Sequence, residues 1–390
     1  LRPPTPDSAW YAPNPGSMDY STDYAEPFVC GPSAKRSPSQ RWAADGPLGA
    51  ICQYLDTVFK VSERRSTVSQ EVQAGFVTWV TMSYIVVVNP MILSAPLDDG
   101  VSPIPFGMAC KATCYSAALA SAFVGVTANL PFGLAAGMGL NSYLRYNLIG
   151  KQGFDAGSAL SCCFVQALLF AALAASGIAD HAQAILPPAL KSSITVAIGV
   201  FQAFVGFQLM GLVVKSDSTM VGLGDISQPA LWLSVTSTLL VAALFVRGTK
   251  GATILGIAFT AVASHLLGLS DARQPMDAVV QAANAAGASE GVGMLQLDFS
   301  AAAEQPHVYW SAVLCMLFIV VFDTAGVQHG IGQQAGLLDR EGALPGAKFA
   351  YLASAAGTGL GAFMGTSPVI IHNESAAGVQ EGGRTGLCAV

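Results

Sequence analysis

Apolar runs near the ~20 residues that cross a bilayer recur along the chain at 72–95, 108–128, 131–149, 158–179, 192–214, 229–247, 251–269, 308–335, 346–364 and 366–385. A soluble protein with that many buried helices needs polar faces on some of the runs, and these runs lack them. Only 11% of the 390 residues are charged and 52% are hydrophobic, against roughly 25% charged in an ordinary soluble domain. The sequence therefore predicts an all-α polytopic membrane protein. Residues 66–390 form its transmembrane domain, and residues 1–65, rich in Pro, Ser, Asp and Tyr over 1–45, form a disordered cytoplasmic tail.

The net charge of −6 offers no basic patch for nucleic acid. Cys110, Cys114, Cys162, Cys163 and Cys315 lie inside spans without His in ligand spacing, so they read as small apolar filler, and no metal or cofactor is expected. Lys60, Arg64, Arg65, Arg247, Lys250, Arg340 and Lys348 fall on one side if the N-terminus is cytoplasmic, with the acidic 270–306 segment outside; Arg145, Lys151 and Lys215 count against that placement. The LLDREGALP run at 337–345 reads as a solvated turn.

Two runs are poor helices. In 129–147, Pro131, Gly133, Gly137 and Gly139 interrupt an apolar stretch that carries Asn129 and Asn141; in 366–385, Thr366-Ser-Pro leads into IHNESAAGV. Pro131 and Pro368 are 237 residues apart, and Pro90 of VVVNP and Thr324 of VVFDT are 234 apart, which suggests a duplicated unit. Where a span loses helix, its freed N–H and C=O groups cost several kcal/mol each in lipid, so such backbone must line a protected cavity. Interrupted spans at corresponding places in two halves point to a transporter's midplane site. Residues 131–136 and 368–373 are therefore expected to be extended and adjacent, with short helices starting near Met138 and Ser375. Ionisable groups at membrane depth mark pathways or sites, which singles out Asp323 and Glu374 and, more weakly, His329 and His372.

GFVTWVTMSYIVVVNPMIL (75–93), NLPFGLAAGMGLNSYLRY (129–146), FDTAGVQHGIGQQAGLLDREGALP (322–345) and GTSPVIIHNESAAGVQEGGRTGL (365–387) resemble the hypoxanthine/adenine/guanine permeases of the nucleobase–cation symporter-2 transporters. The resemblance implies fourteen spans in two inverted seven-span repeats, a core domain moving against a gate domain, third and tenth spans broken into a short strand plus a half-helix, and a chain that stops after the tenth span. It implies a substrate between the first, third, eighth and tenth spans. Gly137, Met138, Gly139 and Asn141 match GMGLN, Asp323 and Thr324 match D-T-x-G, and Ser367 and Glu374 belong to the tenth-span motif. Val320 stands where family members commonly carry an acid, and Ala136 where they carry proline.

The function so implied is import of adenine, guanine or hypoxanthine with a proton carried by Asp323 or Glu374, in a multi-pass protein of the plasma membrane, alone or as a homodimer. A flat, neutral purine edged with donors and acceptors suits a small cavity with a few placed polar groups. Uracil or xanthine transport, or sulfate-type anion transport on the same fold, is the alternative, and an anion would favour a cation where Glu374 stands. An intramembrane hydrolase using Asp323 lacks a second catalytic carboxylate or a Ser-His pair at that depth.

Overall fold

The computed structural model describes residues 47–97, 100–177, parts of 193–216, 219–247, 249, 252–269, 297–339 and 342–390. The earlier part of the tail, scattered positions of the 192–214 run and residues 270–296 lie outside the described residues. Among the described residues, five helical segments are long and apolar enough to cross a membrane: Val68–Leu93, Phe106–Ala128, Ala156–Ala175, Pro229–Val246 and Pro306–Gln334.

The described residues open with α1 (Pro47–Phe59), a helix where disorder was expected through residue 65. Cys52, Leu55 and Phe59 recur at helical spacing and are at least half-buried, and Asn129 Nδ2 donates to Phe59 O at 2.8 Å. A short amphipathic segment is thus held by the membrane domain. The first span is two helices, α2 (Val68–Met82) and α3 (Ile85–Leu93), rather than the single run over 72–95. The hydroxyls of Thr78, Thr81 and Ser83 bond back to helix carbonyls three or four residues earlier, a competition that bends helices. The ladder tightens there to i−3 bonds from Ser83 N to Val80 O and from Val86 N to Ser83 O.

After α4 (Phe106–Ala128) the chain turns at Asn129, whose left-handed φ of 52° suits an Asn. The third span is then β1 (Leu134–Ala136), α5 (Met138–Ser142) and α6 (Tyr143–Lys151), the last wound as a π-helix. Arg145 on α6 is buried and gives its guanidinium to Ala95 O at 2.6 and 2.8 Å and to Pro96 O at 2.7 Å. It caps the end of the first span instead of marking a loop. Next come α7 (Ala156–Ala175), the hairpin β2 (Val213–Ser216) and β3 (Met220–Leu223), α8 (Pro229–Val246) and α9 (Ala252–Leu266). The strand β2 occupies the end of the run expected to be a span over 192–214.

The final third holds α10 (Ser300–Glu304), α11 (Pro306–Gln334), α12 (Ala347–Met364), β4 (Val369–Ile371), α13 (Ser375–Gln380) and α14 (Gly386–Ala389). The core lies between α4, α7, α11 and α12, where Phe170 meets Tyr351 edge-on at 5.6 Å and Ser161 Oγ lies 3.1 Å from Tyr309 OH. By contrast α8 is mostly exposed, and its Ser237 accepts a bond from Thr260 of α9 at 2.8 Å.

Both broken runs form as the sequence predicts. Strands β1 and β4 pair antiparallel, with Leu134 opposite Ile371, Ala135 opposite Ile370 and Ala136 opposite Val369. The ladder is extended by His372 N to Gly133 O at 3.0 Å and Gly137 N to Pro368 O at 2.9 Å. The groups facing away from the ladder meet hydroxyls from neighbouring spans. Ser121 on α4 accepts from Leu134 N and donates to Leu134 O. On the other strand Thr358 of α12 accepts from Val369 N, while Ser354 donates to Val369 O. Buried backbone is thereby satisfied without helix.

The half-helix α13 packs on α2, and its far end is fixed by a buried carboxylate. Glu71 accepts from Arg384 N at 2.9 Å and Thr385 N at 3.1 Å, and Arg64 reaches Asn129 O and Arg384 O. Contact between the two helices depends on Gly378, where a Cβ would lie 2.7 Å from Ala74 O and closer still to Thr78 Oγ1. Replacing Gly378 by Ala is expected to push α13 off α2 and destabilise the protein by about 1–3 kcal/mol, as overpacking does. Thermal unfolding of the detergent-solubilised protein measures this; an unchanged midpoint would show that the two helices yield freely.

Candidate substrate site

The crossing of β1 and β4 brings the starts of α5 and α13 beside α2, α3 and α11. Of the residues nominated from sequence, Gly137, Met138, Gly139 and Asn141 lie at or in α5, Ser367 precedes β4, Glu374 precedes α13, and Asp323 and Thr324 lie on α11. They do not form one contact set. Two polar clusters and one stretch of α11 divide them.

Glu374 belongs to the first cluster. The break between α2 and α3 directs Tyr84 toward it, and the phenol donates to Glu374 Oε1 at 2.8 Å. His372 Nδ1 lies 3.2 Å from Glu374 Oε2, while its Nε2 lies 3.2 Å from Ala136 O across the strand pair. His372 is 4% exposed. Asp323 on α11 interacts electrostatically with the same ring. Glu374 and the imidazole of His372 therefore meet at the broken spans, with a phenol holding the acid at its other oxygen and Asp323 acting on the ring through space from α11.

The second cluster centres on Asn89, which is wholly buried. Its amide nitrogen donates to Thr113 Oγ1 at 2.7 Å and Thr366 Oγ1 at 2.8 Å, and its oxygen accepts from Asn141 Nδ2 at 2.7 Å. One amide thus uses both N–H groups and one lone pair to join α3, α4, α5 and the segment before β4. Asn141 is also wholly buried, and its Oδ1 lies within 3.3 Å of Ser142 Oγ. Its side chain holds α5 against the first span.

On α11, Thr324 and Gln328 are one turn apart on the buried face, in line with the fully buried Val320. Thr324 Oγ1, both amide atoms of Gln328 and Ser367 Oγ are buried without a hydrogen-bond partner among the described residues. Buried donors and acceptors in native proteins are nearly always paired. These atoms are polar capacity that the described residues leave unused, as are Ser66 Oγ and both amide atoms of Gln166 elsewhere.

Sequence reasoning passed over Tyr84, Asn89, Thr113 and Thr366 and ranked His372 below the acids. Asn89 did carry a signal, since an amide beside Pro90 in VVVNP is costly at membrane depth. Tyr84 did not, because an aromatic in an apolar run looks like lipid-facing packing.

A profile of the xanthine/uracil permeases, described as a permease family, matches residues 69–390. The putative permease MJ0326 of Methanocaldococcus jannaschii is 34% identical over 340 residues, covering 87% of this chain and 74% of that one. The guanine/hypoxanthine permease PbuO of Bacillus subtilis is 33% identical over 336 residues, covering 85% and 74%. The adenine permease AdeP of Escherichia coli is 30% identical over 336 residues, covering 86% and 72%. Among solved structures, the transmembrane domain of a cyanobacterium bicarbonate transporter, BicA, superposes with a TM-score of 0.54 at 11% identity, covering 82% of this chain and 79% of that one, which is a likeness of fold. The chain is an integral multi-pass membrane protein and belongs to the xanthine/uracil permease family.

Proposed function

We propose that the protein is a secondary transporter that imports purine nucleobases, with adenine, guanine and hypoxanthine as the substrate class and a proton as the coupling ion. The observation that carries this reading is Glu374, a carboxylate at a broken span held by Tyr84 and His372, beside the α11 stretch that bears Asp323 and unpaired buried polar atoms. A carboxylate accepts ring N–H bonds, and hydroxyls and amides match the remaining edge of a flat base. The names of PbuO and AdeP support the same class. An anion is disfavoured, since two like charges 4 Å apart repel by about 4 kcal/mol at an effective dielectric of 20. One proton per substrate would supply about 2.3 kcal/mol per 100 mV, or roughly 50-fold accumulation.

The inverted seven-span repeat belongs to this proposal. Its support is the matching treatment of the two strands, Leu134 clamped by a hydroxyl of α4 and Val369 by hydroxyls of α12, each from the helix just before the strand. The α8–α9 pair, packed mainly on itself, is assigned to the gate. The plasma membrane is the proposed location.

Uptake of radiolabelled adenine, guanine, hypoxanthine, uracil and sulfate into vesicles tests the substrate class. Saturable uptake of at least one purine is expected, and uptake of sulfate alone overturns the reading. Exchange of Glu374 for Gln should abolish concentrative uptake and weaken purine binding by about 1.5–3 kcal/mol, as for a bond to a charged group. Wild-type affinity and accumulation in that variant would remove Glu374 from the site. Asn141→Ala strands Asn89 Oδ1 and should cost about 1–3 kcal/mol, read as a lower unfolding midpoint together with weaker purine uptake. An effect on neither would show that the Asn89 cluster does not position α5.

A further inference from the structure

We propose that His372 and Glu374 share one proton, and that this proton closes a side-chain bridge from the tenth span to Ala136 O on the third. The inference deepens the purine–proton reading and rests on it for the role of Glu374 in transport. Its basis is a count of hydrogens.

The ring of His372 has two acceptors to serve. Ala136 O, 3.2 Å from Nε2, is a carbonyl and can only accept, so that contact is a hydrogen bond only when Nε2 carries hydrogen. Glu374 Oε2 lies 3.2 Å from Nδ1. If Nδ1 is bare, Oε2 must carry the hydrogen; if Nδ1 is protonated, the ring is an imidazolium facing a carboxylate. Both arrangements hold one proton more than a neutral ring beside a carboxylate. Making both contacts hydrogen bonds at once therefore requires the proton-loaded arrangement.

Removal of that proton leaves one N–H for two acceptors. The contact with the carboxylate is charge-assisted and is the stronger of the two. The one remaining ring hydrogen is then held on Nδ1, whichever loaded arrangement it came from, Nε2 turns its lone pair on the Ala136 carbonyl, and the bridge opens. No other group in contact makes up the loss. Tyr84 has a single hydroxyl hydrogen, committed to Glu374 Oε1, and Asp323, the other charged group facing the ring from α11, adds negative charge that attracts a proton to the pair. The backbone ladder does not depend on the proton, because His372 N to Gly133 O and Gly137 N to Pro368 O are main-chain bonds. What opens is the side-chain bridge beside Gly137, at the start of α5. The step is balanced: one proton enters from one aqueous side and leaves to the other, and only N–H or O–H bonds change.

Two variants separate the parts of the mechanism. In Glu374→Gln the introduced amide donates to a bare Nδ1, so a neutral ring keeps both contacts and the bridge stays closed without a proton. In His372→Gln one amide cannot reach both acceptors, so the bridge is lost. The test uses the full chain in lipid vesicles with 15N-labelled histidine, the His372 signals being assigned by their loss in His372→Gln. Between about pH 5 and 9 the wild-type ring is expected to move from a proton-loaded form to a neutral form with hydrogen on Nδ1, whereas in Glu374→Gln it keeps hydrogen on Nε2 throughout. A wild-type ring with hydrogen on Nε2 across the whole range overturns the proposal, and this measurement needs no substrate and no folded His372 variant beyond the assignment.

Transport supplies the second readout. A pH gradient of one unit drives about tenfold accumulation through a one-proton symporter; His372→Gln is expected to lose this accumulation while purine counterflow persists. Full accumulation with a wild-type pH profile in His372→Gln overturns the shared proton. If the ring titrates as stated and no purine moves, the proton pair stands and the purine reading falls.

Discussion

Unpaired backbone is the constraint around which this molecule is arranged. Two apolar runs give up their helices, and neither strand could stay in a membrane alone, since lipid offers no partner for an N–H or C=O. The pairing of Leu134–Ala136 with Val369–Ile371 solves half of the problem, because only alternate residues of an antiparallel strand face the ladder. The other half falls to Ser121, Ser354 and Thr358. From those bonds follow the close packing of α4 and α12 on the strands and the meeting of α5 and α13 with the first and eighth spans.

That arrangement also explains how charge is tolerated. A lone carboxylate in hydrocarbon is expensive, and both Glu374 and His372 are placed where the chain is already polar. Glu374 meets a phenol and an imidazole, and Glu71, in the first turn of α2, meets the backbone N–H groups of Arg384 and Thr385. The two acids differ in kind. Glu71 faces fixed dipoles and serves structure, whereas Glu374 faces a ring that can gain or lose a proton.

Five of the expected runs, answered by Val68–Leu93, Phe106–Ala128, Ala156–Ala175, Pro229–Val246 and Pro306–Gln334, were legible because length and apolarity are properties of continuous sequence. So were the broken elements: Pro131 with Gly133 and Gly137, and Thr366-Ser367-Pro368, are incompatible with a regular helix, and short helices begin at Met138 and Ser375. The register of β1 on β4 was not legible, since its partners are more than two hundred residues apart and its side chains are small or aliphatic. Nor were the hydroxyl clamps. Ser121 reaches across to Leu134, while Thr127, on the same helix, bonds back to Phe123 O as any helical threonine does. Local sequence does not distinguish the two. Asn141 shows the opposite limit: the motif marked it for the substrate, and the structure gives its amide to Asn89. The tail was misread because α1 is a short amphipathic helix whose burial depends on Asn129 and the membrane domain.

The hydroxyl clamps set different mutational freedoms for neighbouring positions. The strands contribute main-chain atoms to their own support, so the hydrogen-bond ladder does not specify the side chains of Leu134, Ala135 and Ile370, which answer to packing instead. Ser121, Ser354 and Thr358 have no such latitude, although none of them carries a charge or belongs to a broken segment. The strand pair is a floor whose outward-facing backbone groups rest on three hydroxyls. The positions that hold the floor lie on two intact helices and look, residue by residue, like ordinary membrane packing.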